Sequence, residues 1–253
     1  MSTLYIVATP IGNLEDISMR ALRILGEVDF VLCEDTRVTG NLLKHYDIKT
    51  PTISYHQHSD VKKIDHILGY LAQGKDLALV SDAGTPGISD PGGKLVEAVF
   101  DKFGDDVKIE SVPGPSAVVA ALSISGIPTD KFVFMGFPPH KKGRQTFIER
   151  ISFSEFPVVV YESKHRILKF LEELAALNKG IERENDWLDE EVKKNYKNRD
   201  KAVRRKPVTS VVVCRELSKM HETVYRGSLD KIIKQIRDNK DEQRGEFTVI
   251  VGK

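Results

Sequence analysis

The chain has 253 residues, of which 40% are hydrophobic and 30% charged, and its formal net charge is +1. This ordinary globular composition excludes general disorder, and the near-neutral charge excludes nucleic-acid binding by bulk charge, so any such contact must be local. The sequence contains no apolar run long enough for a membrane helix, so we expect a cytoplasmic protein without a membrane contact.

The first part of the chain alternates short apolar runs with amphipathic segments. We predict strands at 4–8, 28–33, 77–81 and 107–112, and helices at 17–25, 61–73 and 93–103. This alternation predicts a mostly parallel sheet covered by helices. Ligands of such sheets bind at the carboxyl ends of the strands, so the loops there are the candidate site.

A second series of elements follows the Pro113-Gly114-Pro115 segment. We predict helices at 116–125, 144–151, 165–177 and 229–239, and strands at 132–136, 157–162, 208–215, 223–226 and 247–252. Because prolines and glycines punctuate the chain at this segment, we expect two α/β domains with parallel or mixed sheets, 1–114 and 115–253.

One stretch of the second domain, 179–206, is unusually rich in charge. It is predicted to be an insertion or an exposed helix. Its apolar residues fall near helical spacing, which would suit an amphipathic helix docked by one face, and a solvated surface segment is the alternative. They are Trp187, Leu188, Val192 and Tyr196.

The segment Ser81–Gly93 holds four glycines and two prolines directly behind an apolar run. It is no phosphate-binding P-loop, because the Gly93-Lys94 pair lacks both the earlier glycine and the following Ser or Thr. Pro10, after the first strand, removes an amide donor and argues against a pyrophosphate site there. What remains is either a site offering backbone and the Asp82 carboxylate to a ligand, or a tight crossover loop.

Several stretches spread over the chain resemble one family when they are read in order. They are LYIVATPIGNLEDISMRAL (4–22), EDTR (34–37), YHQHSD (55–60), SDAGTPGISDPG (81–92), PGPSAVVAAL (113–122), GFPPHKKGR (136–144), YESKHRI (161–167), CRELSKMHE (214–222) and RGEFTVIV (244–251). These stretches resemble the tetrapyrrole methylase superfamily, and within it the ribosomal small-subunit RNA cytidine 2′-O-ribose methyltransferases.

The resemblance implies S-adenosylmethionine as cofactor in a cleft between two α/β domains, a homodimer, and the small ribosomal subunit or its RNA as partner. The implied activity is 2′-O-ribose methylation of a cytidine in small-subunit (16S) ribosomal RNA. The implied cofactor residues are Thr9, Pro10, Ile11, Gly12, Asp82, Ala83, Gly84, Thr85, Ser116, Ala117, Tyr161, Arg215, Glu216, Gly245 and Glu246.

Methyl transfer to a hydroxyl needs an aligned methyl donor and a proton acceptor, and it requires no metal. Glu34 and Asp35 are the candidate bases, because they follow the second strand at the expected ligand edge. Arg37 could pair with a phosphate or with Asp35. The alternative is an ion pair that only caps the loop.

RNA contacts are expected from an exposed basic loop behind two prolines and from nearby cations. The candidates are Lys141, Lys142, Arg144, Lys164, Arg166 and Lys219. Two other functions remain open: a methyltransferase of a small molecule of the tetrapyrrole or diphthine type, and a non-catalytic module that docks on ribosomes.

Overall fold

The structure is a computed structural model that describes residues 1–56, 61–194 and 205–252. The chain divides into two compact units, Met1–Ala117 (unit 1) and Val118–Lys253 (unit 2). The boundary predicted from the Pro113-Gly114-Pro115 segment lies just before this division. Among the described helices, none combines the length and the apolar character that a membrane crossing requires.

Unit 1 is a five-stranded sheet with helices between its strands. Its elements are β1 (Thr3–Val7), α1 (Met19–Glu27), β2 (Phe30–Cys33), α2 (Thr36–His45), β3 (Thr52–Ser54), α3 (Val61–Ala72), β4 (Leu77–Val80), α4 (Gly93–Phe103) and β5 (Lys108–Val112). The strand order is β3-β2-β4-β1-β5, and every neighbouring pair is parallel. All five strands therefore end at the same edge of the sheet.

The two faces of this sheet bury different clusters, because side chains alternate along a strand. Leu77 and Leu79 of β4 pack with residues of α3 and α4. Ala78 and Val80 pack on the other face with residues of α1 and α2. Burial of each leucine side chain contributes about 2 kcal/mol to the hydrophobic free energy of folding. A β4 buried on both faces explains why its sequence is an unbroken apolar run.

Two elements of unit 1, α2 and β3, were not predicted from the sequence. The α2 segment contains Gly40 and β-branched residues, which have low helix propensity, and it buries only Thr39, Leu42 and Leu43. Asp35 nevertheless starts the helix, since its side chain accepts a hydrogen bond from the backbone N–H of Arg37. Strand β3 has only three residues, too few for a periodic signal.

Unit 2 contains a mixed sheet. Its elements are α5 (Ala117–Ser125), which begins at the last residue of unit 1, β6 (Val133–Gly136), α6 (Arg144–Phe153), β7 (Val158–Ser163), α7 (Ile167–Lys194), β8 (Ser210–Arg215), β9 (Thr223–Gly227), α8 (Leu229–Asp238) and β10 (Glu246–Gly252). The strand order is β6-β7-β10-β8-β9. Only β6 and β7 run parallel, and the other neighbouring pairs are antiparallel. The predicted α/β class thus holds for both units.

Helix α7 continues far beyond the predicted end at Leu177 and includes the first part of the charged stretch. Ile181 is buried, whereas Trp187 is 60% exposed, so this part is largely an exposed helix. Asn178 ties it to the returning chain: its side chain donates to the Val208 carbonyl and accepts from the Val208 N–H, both at 2.8 Å. Tyr196 and the rest of 195–204 lie outside the described residues.

A buried group of charges connects three elements of unit 2. Glu162 of β7 is 1% exposed. One of its oxygens lies 3.0 Å from the Arg166 guanidinium and the other 3.4 Å from that of Arg144. Arg144 also contacts Glu173 of α7 at 2.8 Å. The buried Arg144 and the partly buried Arg166 therefore share Glu162, and Arg144 also pairs with Glu173, so removal of Glu162 would leave two cations with one carboxylate.

The Glu162→Ala variant is expected to lose about 3 kcal/mol of unfolding free energy, because it removes the carboxylate of the partly buried Arg166 and leaves the buried Arg144 with Glu173 alone. Urea unfolding followed by circular dichroism measures the loss. The control is Glu27→Ala, which removes an exposed ion pair with Arg23 at 2.6 Å and should cost less than about 0.5 kcal/mol. Equal unfolding midpoints for the two variants would contradict the assignment.

Candidate functional site

The ends of β1 and β4 are linked by a pair of backbone hydrogen bonds. The Thr9 N–H donates to the Gly84 carbonyl at 2.9 Å, and the Gly84 N–H donates to the Thr9 carbonyl at 3.1 Å. The Thr9 hydroxyl donates to the Ser81 carbonyl at 3.0 Å. The two loops are thereby fixed to one another at the carboxyl edge of the sheet.

Gly84 suits this turn because its φ of +85° is one that side-chain-bearing residues rarely adopt, and its Cβ position lies at an ordinary contact distance of 3.5 Å from Ile11 Cγ2. The same Cβ position is 3.8 Å from the carbonyl oxygen of Pro115. Three predicted cofactor segments of unit 1 thus come together at this edge. They are Thr9-Pro10-Ile11-Gly12, Asp82-Ala83-Gly84-Thr85 and Ser116-Ala117.

A pocket of about 280 Å³ opens at these strand ends. Its lining combines apolar side chains with hydroxyl, amide and carboxylate groups. The lining residues are Thr9, Pro10, Leu14, Val38, Thr39, Asn41, Leu42, Ser81 and Asp82. Thr9, Pro10 and Asp82 were predicted from the sequence, whereas the residues contributed by α2 were not, because that helix itself was not predicted.

The predicted base Asp35 is engaged by its neighbour Arg37. The Arg37 guanidinium donates to both carboxylate oxygens, at 3.0 and 2.6 Å, and the Arg37 backbone N–H donates at 2.8 Å. These hydrogen bonds lower the pKa of Asp35 to about 2. So weakly basic a carboxylate is poorly suited to accept a proton near neutral pH, and the geometry favours the capping alternative. The other candidate, Glu34, is exposed.

Asp90, which the sequence analysis did not single out, lies in the loop between β4 and α4. Burial and then the charges of Glu34 and Asp82 raise its pKa to about 6. Asp82 in turn accepts a hydrogen bond from the Asp35 N–H at 3.3 Å. The carboxylates that follow β2 and β4 are therefore close enough to act on one another.

In unit 2, four predicted cofactor residues meet at the ends of β8 and β10. The Glu216 N–H donates to the Glu246 carbonyl at 2.9 Å, and the Glu216 carboxylate accepts from the Glu246 N–H at 2.8 Å. A Cβ on Gly245 would lie 2.5 Å from the Glu216 side chain, so this position requires glycine. Arg215 is buried and donates to three loop carbonyls, those of Asp241, Arg244 and His221.

Tyr161, the remaining predicted cofactor residue, lies in β7 and packs against Phe134 and Phe137 with ring centroids 5.0 and 5.4 Å apart. Phe137 is 51% exposed, so part of its ring is accessible beside Tyr161.

The predicted RNA-binding residues fall into two groups. Lys141, Lys142 and Lys164 are exposed. Arg144 is 5% exposed and paired with carboxylates, which contradicts its prediction as a phosphate contact. Arg166 is also turned inward, where it contacts Glu162 and donates to the Pro138 carbonyl at 3.0 Å.

Both arginines hold the loop that precedes α6, because Arg144 likewise donates to the Pro139 carbonyl at 3.2 Å. Lys219, a further candidate, bridges Glu216 and Glu246 at 3.0 and 2.8 Å. Lys219 is accordingly neutralised by one carboxylate of its own loop and one at the start of β10. Across the described ranges, no group of three or more His, Cys, Asp or Glu side chains could hold a metal ion.

Comparison with known proteins gives one consistent result. A sequence profile of the tetrapyrrole (corrin/porphyrin) methylases matches residues 3–233. The chain is 40% identical over 252 residues to the ribosomal RNA small subunit methyltransferase I of Synechocystis sp., covering 99% of this chain and 79% of that protein. It is 38% identical over 251 residues to the protein of the same name from Hydrogenobaculum sp., covering 99% and 95%.

Solved structures agree on the fold. The X-ray structure of cobalt precorrin-4 methyltransferase, a cobalamin biosynthetic enzyme, superposes with a TM-score of 0.64 at 16% identity, covering 99% of this chain and 94% of that chain. The family predicted from the motifs is confirmed. The chain belongs to the tetrapyrrole (corrin/porphyrin) methylase family, together with the ribosomal RNA small subunit methyltransferases I, and is a methyltransferase.

Proposed function

We propose that the protein transfers the methyl group of S-adenosylmethionine to the ribose 2′-hydroxyl of a cytidine in small-subunit ribosomal RNA. The observation that carries this proposal is the 40% identity, over 99% of the chain, to a relative named for methylation of that RNA. We also propose that the protein works as a homodimer, as the resemblance implies.

The unit 1 pocket suits part of a nucleoside-like cofactor. Leu14, Val38 and Leu42 offer apolar contacts for a flat ring, while hydroxyls and the Asp82 carboxylate offer polar partners. When bound, S-adenosylmethionine supplies an electrophilic methyl group on a positively charged sulfur. The carboxylates that follow β2 and β4 attract a cation such as this sulfur. A phosphate-binding loop would instead attract an anion.

The proposed cofactor residues of unit 2 act mainly through the backbone. Arg215 holds the carbonyls of its loop, and Gly245 lets Glu216 and Glu246 exchange hydrogen bonds. Glu216 keeps a φ of +52°, which is uncommon for a side-chain-bearing residue. Strain of this kind concentrates at functional sites, which supports assigning these loops to the cofactor.

The protein is expected to transfer labelled methyl groups from S-adenosylmethionine to small ribosomal subunits that lack the modification. Nuclease digestion and mass spectrometry should identify 2′-O-methylcytidine. Subunits that already carry the methyl group are the matched control and should take up no label. Label in a small molecule instead of RNA would support the tetrapyrrole or diphthine alternative, and no label in either would support a non-catalytic module.

Asp82→Ala is expected to weaken S-adenosylmethionine binding by about tenfold, since it removes a charged partner from the pocket. Isothermal titration calorimetry measures the affinity. Asp101→Ala, an exposed aspartate of α4, is the control and should bind like the parent protein. An unchanged affinity in Asp82→Ala would identify the segment as a crossover loop.

The RNA contact is proposed at the loop that carries Lys141 and Lys142, together with Lys164, which directly follows β7. Arg144 and Arg166 contribute by holding the carbonyls of Pro139 and Pro138 and not by touching RNA. The loop thus presents its two lysines from a fixed backbone, which lowers the entropy lost when phosphates bind.

Lys141→Glu with Lys142→Glu is expected to weaken RNA binding and to reduce the slope of log affinity against log salt by about 1.4, the value for two single-strand phosphate contacts. Filter binding over a salt series measures both quantities. The control is Lys234→Glu with Lys240→Glu, two exposed lysines elsewhere in unit 2. If both pairs change the slope equally, the loop is not a specific contact.

A further inference from the structure

Three aromatic rings lie together where β6 and β7 run side by side. Tyr161 of β7 contacts Phe134 of β6, with ring centroids 5.0 Å apart, and Phe137, which directly follows β6, with centroids 5.4 Å apart. The Phe137 ring is tilted by 54° to the Tyr161 ring, so the two rings do not stack face to face. Because Phe137 is 51% exposed, part of its ring is accessible to a flat ligand.

The backbone that carries this exposed ring is held in place. Gly136 has a φ of +65°, at the point where the register of β6 against β7 shifts. The Pro138 carbonyl accepts a hydrogen bond from Arg166 at 3.0 Å. The Pro139 carbonyl accepts one from Arg144 at 3.2 Å. Because proline also fixes φ, the ring projects from a prearranged loop, which lowers the entropy lost when a ligand binds.

The same loop carries positive charge at the surface. Lys141 and Lys142 are exposed and follow Phe137 by four and five residues. Five residues of chain span at most about 18 Å, so both ammonium groups stay within reach of the nucleotides next to a base held at the ring. Cations beside an accessible aromatic ring are typical of sites for single-stranded RNA, where the cations contact phosphates and the ring stacks on a base.

Exposure alone does not distinguish Phe137, since single exposed apolar side chains are common on protein surfaces. Phe100 and Phe153 are more exposed, at 62% and 68%. The Arg205 guanidinium lies over the Phe153 ring, 4.6 Å from its centroid, and Phe100 lies on α4 of unit 1. Phe137 combines an accessible ring, a fixed backbone and adjacent cations with a contact to Tyr161, a residue proposed for the cofactor.

We propose that Phe137 stacks on an unpaired base of the RNA substrate and thereby positions the strand for methyl transfer. This inference rests on the proposed function. The base lies on the accessible part of the Phe137 ring, while Lys141 and Lys142 contact phosphates of the same strand. Because Tyr161 packs against Phe137, the stacked base is held near the proposed cofactor. Stacking needs only a flat π face, so Phe137 contributes affinity and position and not the choice of cytidine.

The test is filter binding of unmodified small ribosomal subunits over a salt series. Phe137→Ala should weaken binding by about 5- to 150-fold, the range for loss of one stacked base. The slope of log affinity against log salt should stay as in the parent protein, because stacking releases no counterions. The charge reversal of Lys141 and Lys142 should instead reduce the slope. Phe100→Ala is the matched control and should bind like the parent.

Two conservative variants distinguish a stacked ring from a simple apolar contact. Phe137→Leu keeps an apolar side chain without a flat ring, and it should bind subunits as weakly as Phe137→Ala. Phe137→Trp offers a larger π face and should bind at least as tightly as the parent. Circular dichroism should show the fold of the parent in all of these variants, since the side chain they change is half-exposed.

Several results would overturn the proposal. One is subunit binding by Phe137→Ala within about twofold of the parent, which is below the effect of one stacked base. Another is binding by Phe137→Leu that matches the parent. An equal loss of S-adenosylmethionine affinity in calorimetry would assign the ring to the cofactor, and a change from dimer to monomer in ultracentrifugation would assign it to a second copy of the chain. If the parent binds subunits with this dependence on Phe137 but methylates none, the proposed function has failed and the stacking assignment stands.

Discussion

The parallel pairing of β2, β4, β1 and β5 is the constraint on which the proposed site depends. Parallel strands end together, so loops that are far apart in sequence begin at one edge of one sheet. The exchange of hydrogen bonds between Thr9 and Gly84 then fixes two of these loops to each other. A site built this way depends on sheet register, and a slip in β1 or β4 would separate the pocket lining and the carboxylates at once.

The two units differ in how their charged side chains are compensated. In unit 2, Glu162 is buried between two arginines, and each arginine also satisfies a loop carbonyl. That arrangement is balanced, and its role is to hold a loop. In unit 1, burial and then the charges of Glu34 and Asp82 raise the pKa of Asp90. Such an imbalance lowers stability, and proteins generally retain it where it serves chemistry.

The sequence predicted the α/β class, the family and most strands, because buried strands such as β4 are continuous apolar runs between glycines. It did not predict α2, because the glycine and β-branched residues of this segment have low helix propensity. Tertiary packing and the Asp35 cap stabilise the helix instead. It also assigned Arg144 to RNA, since three basic residues around Gly143 look exposed. Glu162 and Glu173, which neutralise Arg144, come from later elements, and only the fold brings them near. Asp90 was missed for the same reason: its proximity to Glu34 is created by the pairing of β2 with β4.

The Asn178 side-chain amide pairs with both the N–H and the carbonyl of Val208. It thereby makes the two hydrogen bonds that a backbone peptide group of a neighbouring strand would make. This pairing joins the two ends of the charged stretch, and it does not depend on the residues between them. The charged stretch is thus attached to unit 2 by a contact that its own charged side chains do not make, so changes in those side chains leave this attachment intact.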